Sequence, residues 1–137
     1  MADTVRRVDY AYATIPDTPG EGDRILSALR ESGVNLIACL GFPTGDGRSQ
    51  LDLVPDDPSA LHEAAARAGI TLSGSKQAFL VQGDDRLGAA QETTAKLAQA
   101  GVNLTAVAAI SAGSGRYGMI LWVAPGDLDQ AAEALGA

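Results

Sequence analysis

The chain has 137 residues, 10 Lys and Arg against 17 Asp and Glu, and a formal net charge of -7. That length suits one ordinary domain or two very small ones. The acidic balance argues against nucleic acid, whose phosphates need a basic surface, and against anionic membranes.

Residues 8–15 alternate, with Val8, Tyr10 and Tyr12 on one side and Ala11, Ala13 and Ile15 on the other, which predicts a strand. Pro16-Asp17-Thr18-Pro19-Gly20 breaks it into a loop. Residues 22–32 read as a helix that buries Ile25, Leu26 and Leu29, stopped by Gly33. A strand follows over 35–42, then the turn Thr44-Gly45-Asp46-Gly47, then an antiparallel strand over 48–54. A second helix spans 58–68, with Asp57 or Ser59 as its N-cap and Leu61, Ala64, Ala65 and Ala68 facing inward; Gly69 ends it. Residues 70–82 read as extended with a bend at Gly74, closing one unit and opening the next. A helix over 89–100, a strand over 103–110, a turn at Ser111 to Gly115, a strand over 116–124 and a helix over 128–135 complete the chain.

A repeat underlies this order. Gly33-Val34-Asn35-Leu36 returns as Gly101-Val102-Asn103-Leu104, an offset of 68. At the same offset Gly20 falls on Gly88, Leu29 on Leu97, Arg48 on Arg116 and Leu53 on Leu121. After a one-residue deletion His62-Glu63-Ala64-Ala65 matches Asp129-Gln130-Ala131-Ala132, and Gly69 matches Gly136. The expected class is α+β: two ferredoxin-like βαββαβ units sharing a middle strand, with an antiparallel sheet and helices on one face. The boundaries read as an N-terminal extension over 1–7, a first unit over 8–75 and a second over 76–137, fused into one body. The second unit has no closing strand of its own after its last helix.

The repeat, with Asp17-x-Pro19-Gly20 after the first strand and Gly33-Val34-Asn35-Leu36 leading into the second, resembles the ACT domain. The whole chain is similar to small stand-alone tandem ACT proteins of bacteria. That resemblance implies a non-enzymatic regulatory protein that binds a small molecule, an amino acid above all, where units meet. It points to Asp17, Thr18, Pro19, Gly20, Glu21, Asn35, Leu36 and Ile37 in the first unit. In the second it points to Asp85, Arg86, Leu87, Gly88, Ala89, Asn103, Leu104 and Thr105. Leu87 stands where the proline should be, so the second turn is less preset and the first loop is the better site.

The loop has its own physics. The first amides of a helix are unpaired and carry a partial positive charge that suits a ligand carboxylate. Asp17 or Glu21 suits an ammonium group, Gly20 and Gly22 allow close approach, and Pro19 presets the turn. The plainer alternative is that Asp17 and Thr18 cap the helix, Pro19-Gly20 turns the chain, and Asn35 and Asn103 bond the local backbone.

Other residues read as structural. One cysteine, Cys39, excludes an intramolecular disulfide and a Cys metal cluster, and mid-strand it reads as a small buried or half-buried residue. The single histidine, His62, reads as a solvent-facing helix residue and excludes any mechanism needing two imidazoles. Residues 83–88 lack the Gly-Lys-Ser/Thr ending of a nucleotide loop, and Asp56-Asp57 reads as a helix-leading turn. The strand over 48–54 has no aromatics to stack RNA bases. Gln50 and Asp52 give one sheet side a polar character, and Tyr10, Tyr12, Phe42 and Trp122 belong either to the core or to an assembly surface. No cofactor or metal is expected. With no ~20-residue apolar run and no signal-peptide core, the protein reads as cytoplasmic. Edge strands need covering, so a homodimer is expected; the alternative function is a ligand-free assembly module that oligomerises through its sheets.

Overall fold

The computed structural model describes residues 3–137, as two compact units: residues 9–76, and residues 3–8 together with 77–137. The elements are β1 (Thr4–Pro16), α1 (Glu21–Glu31), β2 (Leu36–Pro43), β3 (Arg48–Pro55), α2 (Pro58–Ala68), β4 (Lys76–Asp84), α3 (Ala89–Gln99), β5 (Leu104–Gly113), β6 (Arg116–Val123) and α4 (Leu128–Leu135). The protein is therefore α+β; the described residues form six strands, four α-helices and a short 3-10 turn (Pro125–Asp127), in the order expected of two repeats. No helix among the described residues is long and apolar enough to cross a membrane.

In the first unit the strand order is β2-β3-β1, all antiparallel. Ala13 pairs with Leu51 and Ala11 with Leu53, which puts these four on one face. They pack with Ile25 and Leu29 of α1 and Leu61 and Ala64 of α2 into the unit's core. Small alanines on β1 leave room for the helix leucines. Leu26, expected in the buried stripe, is 38% exposed: it lies one residue round the helix from Ile25. Ala68 is exposed as well, in the last turn of α2. Asp57 caps α2, accepting from the amides of Ser59 at 3.1 Å and Ala60 at 3.4 Å, with Pro58 in the first turn. Gly69 ends the helix in the left-handed conformation at φ 70°.

The second unit has the strand order β1-β4-β6-β5, β1 contributing its leading residues. Phe79 and Val81 of β4, Met119 and Leu121 of β6, Leu97 of α3 and Ala131, Ala132 and Leu135 of α4 form its core, with Val5 packed against it. A β-bulge recurs at one repeat position, beside Ile37 in β2 and Thr105 in β5, and β5 has a further irregularity beside Ala112.

Several boundaries differ from the sequence expectation. Strand β1 begins at Thr4, not at residue 8, and so takes in most of the segment read as an extension. Two arginines hid it: Arg7 keeps its guanidinium on Asp129 at 2.8 Å while Val5 turns inward. The stretch over 70–82 divides. Residues 70–75 are irregular and stay with the first unit, where Ser73 exchanges bonds of 2.8 and 2.9 Å with Tyr12, and β4 starts at Lys76. The second hairpin turn is tighter than expected. Gly113 pairs with Arg116, leaving only Ser114 (φ 55°) and Gly115 (φ 71°), the two positive angles of a type I′ turn.

The side of β3 that carries Gln50 and Asp52 is covered toward its C-terminal end. Asp52 is only 5% exposed and Val54 1%, and Trp122 of β6 is also buried. Tyr10 and Tyr12 are half-buried and Phe42 is 40% exposed. Cys39, expected to be covered, is exposed, because β2 stands at the end of the strand order with one side uncovered. His62 is exposed on α2.

Candidate functional site

Each unit builds the same corner from the same parts. At the end of β1, Asp17 donates its amide to Gly47 O at 3.0 Å; at the end of β4, Asp85 donates to Gly115 O at 2.8 Å. The chain then turns: the Glu21 amide donates to Thr18 O at 3.3 Å, and the Ala89 amide to Arg86 O at the same distance. Gly20 (φ 91°) and Gly88 (φ 79°) stand left-handed at the N-caps of α1 and α3. Neither helix has a side-chain cap, so Asp17 and Thr18 do not serve that purpose. Loss of the proline at Leu87 has not changed the turn, because the glycine and the backbone bond fix it. Leu87 itself is fully exposed.

In the first unit this corner is one wall of a cleft of about 310 Å³. Asp17, Thr18, Glu21 and Gly22 face Gly41, Phe42 and Pro43 of β2 and Ser49, Gln50 and Leu51 of β3. The volume is near the lower end of the ~300–1,000 Å³ usual for ligand clefts. Asp17 is oriented by the Ser49 hydroxyl, which donates to its Oδ1 at 3.0 Å. Glu21 is bound by Arg24 one turn along α1 at 2.9 Å, leaving Asp17 as the cleft carboxylate with no cation bound to it among the described residues. The cleft thus offers an anchored carboxylate, two hydroxyls, an amide side chain and an uncapped helix start.

The second unit has a cleft of about 410 Å³ at the repeat positions, lined by Asp85, Gly88, Ala89, Ala109, Ile110, Ser111 and Tyr117 among others. Ser111 donates to Asp85 Oδ2 at 3.0 Å, so the carboxylate is again held by a serine, here from β5. Its chemistry is otherwise different. Arg86 replaces Thr18 and is bound by Asp3 at 3.1 and 3.2 Å, by Glu92, and by Asp84 O at 2.9 Å. Its guanidinium stands 5.9 Å from the centre of the Tyr117 ring. The Tyr117 hydroxyl donates to Asp3 at 2.6 Å. The Arg86 hydrogen bonds hold the carboxyls of Asp3 and Glu92 below their usual range. Burial, then the bond to Asp3, pushes the Tyr117 phenol up to about 12.

The residues expected from the strand after each Gly-x-Asn do not join these clefts. Asn35 lies at the other end of β2, exposed, with its carbonyl accepting from the Asp56 amide at 3.1 Å. Leu36 packs against the first core and Ile37 sits at the bulge. Asn103 and Leu104 line a separate groove of about 540 Å³ with Gln91, Thr94, Ala95 and Ala98 of α3. Pro19 shapes the first loop but does not face its cleft. Sequence reasoning missed Gly41, Phe42, Pro43, Ser49 and Gln50. The signal was there: a hairpin returns its turn end to the end of the first strand, and Pro16 pairs with Arg48.

No protein-family model matches the chain, and no curated protein matches it in sequence. The fold is matched by solved structures. A protein of Bacteroides thetaiotaomicron has a TM-score of 0.81 at 14% identity, covering 96% of this chain and 88% of that one. The ligand-free regulatory subunit of aspartate kinase from Thermus thermophilus has a TM-score of 0.67 at 18% identity, covering 98% and 94%. The corresponding subunit from Thermus flavus has 0.59 at 20% identity, covering 98% and 94%. The chain has the tandem ACT fold of these regulatory subunits.

Proposed function

We propose that this protein is a non-enzymatic regulatory binding protein whose ligand is a small zwitterion, an amino acid, taken up by the first-unit cleft. The observation that carries this reading is the pairing of Asp17, fixed by Ser49 and free of a bound cation in the cleft, with the uncapped start of α1. An ammonium group suits the carboxylate, and a ligand carboxylate suits the first-turn amides and the helix dipole. Similarity in fold to regulatory subunits of aspartate kinase supports regulation over catalysis.

The decisive experiment is a thermal-shift and calorimetric panel of the twenty amino acids on the intact chain and on Asp17→Ala. Saturable stabilisation by one or a few of them, lost in Asp17→Ala, is expected. No stabilisation by any amino acid overturns the reading. The alternative, an assembly module, is favoured by the edge strand β5, where Val107 is 47% and Ile110 73% exposed. It predicts a homo-oligomer whose mass and melting temperature ignore all of them.

A further inference from the structure

Asp3 lies against the bare face of Gly83 in β4. A β-carbon at Gly83 would collide with Asp3 Oδ1, lie 2.8 Å from its Cγ and crowd Tyr117 Cε1 at 3.1 Å. The carboxylate accepts from Arg86 through both oxygens and from the Tyr117 hydroxyl, and its side chain is only 14% exposed. A cation with two parallel donors, a phenol donor and a glycine floor together form a complete seat for one carboxylate. The repeat does not require it: the first unit has Ile15, Thr18 and Ser49 at the positions of Gly83, Arg86 and Tyr117.

We propose that Gly83, Arg86 and Tyr117 form a carboxylate-binding site in the second unit, which the chain's own Asp3 fills in cis and a small monocarboxylate takes in its place. Two features keep the site formed without Asp3. Arg86 retains its bonds to Asp84 O at 2.9 Å and to Glu92, so the guanidinium stays aimed. Tyr117 is anchored in the unit's core. Arg86 and Tyr117 also line the 410 Å³ cleft, which gives the body of a ligand somewhere to lie. One carboxylate completes the seat: its two oxygens take both Arg86 donors and the Tyr117 hydroxyl, so a single negative charge satisfies it. The tether sets the selectivity. A carboxylate carried by the same chain competes at an effective concentration in the ~millimolar range, so a free monocarboxylate displaces it in the native protein only at higher concentration than in its absence.

The probe is sodium acetate, titrated at constant ionic strength against sodium chloride into full-length wild type and Asp3→Gly. Backbone amide and Arg Nε resonances are the readout. In Asp3→Gly, saturable acetate-specific shifts are expected at Gly83, Arg86 and Tyr117, with apparent affinity at least tenfold above that of wild type. They should vanish in Asp3→Gly/Arg86→Gln. Should Asp3→Gly loosen β1, the same titration read as melting temperature decides: acetate-specific recovery supports the site and its absence overturns it. Shifts that saturate equally in chloride, or that survive Arg86→Gln, also overturn it. The first-unit cleft is untouched by these variants, so the amino-acid panel and this titration fail independently.

Discussion

Asp3 and Gly83 touch across the pairing of β1 with β4, and the contact exists only because position 83 has no side chain. Gly83→Ala should therefore expel the Asp3 carboxylate from Arg86 and Tyr117 and crowd the Tyr117 ring. A cost of about 1–3 kcal/mol is expected, the usual range for overpacking a filled site. Because both changes break one contact, Asp3→Ala should add little in the Gly83→Ala background. Urea melts of the two single variants and the double variant give the coupling directly; strict additivity would show that the two residues act separately.

Asp52 supplies a second prediction. It is nearly buried on β3, and burial pushes its carboxyl up, with the Gln50 side-chain amide, 2.9 Å from Oδ1, offsetting only part. A folded-state value above the unfolded one means that the folded chain holds the proton longer. Stability from this group is then full below the unfolded value near ~3.9 and falls as pH rises through the folded value. Asp52→Asn keeps an acceptor for Gln50 and removes the charge. It should raise the melting temperature at pH 7 and confer no advantage at pH 4, as followed by circular dichroism.

At the alkaline end Tyr117 takes over. Its phenol is held up to about 12 by burial and by the Asp3 carboxylate, against an unfolded value near ~10. The folded chain again retains the proton, so stability is whole below pH ~10 and declines as pH rises toward 12. Tyr117→Phe should flatten that decline, and stability measured at steps from pH 9 to 12 tests it.

Helix capping offers a test of local structure. Asp57 accepts two amide bonds at the start of α2, and Asp57→Ala should cost ~1 kcal/mol. Asp127 also precedes a helix, α4, yet makes no cap bond. Asp127→Ala should change stability by less than ~0.5 kcal/mol. A matched pair of thermal melts separates the two.

Much of the fold was legible because its signals are local. The turn glycines and the alternation in β1 each name an element without reference to any other, and the 68-residue offset shows the same local signals twice. Asp57 and Ser59 both offered a cap for α2, and the structure has it at Asp57. The corner at Asp17 and Asp85 was visible for the same reason. Its far wall, Gly41 to Pro43 with Ser49, was not, because the wall depends on which end of β2 lies beside the loop. That is settled by the pairing of Pro16 with Arg48, between residues far apart in the chain.

The class of fold and the order of the elements follow from backbone preferences and apolar period along short windows, and the duplication from those windows recurring 68 residues apart. That β1 reaches back to Thr4, and how the two clefts differ in chemistry, came from long-range contacts. One holds a carboxylate with no cation bound to it, while beside the other Arg86 and Tyr117 bind the carboxylate of Asp3. The reason is physical: Asp3 and Arg86 are 83 residues apart, and no local preference of either encodes the hydrogen bonds that join them.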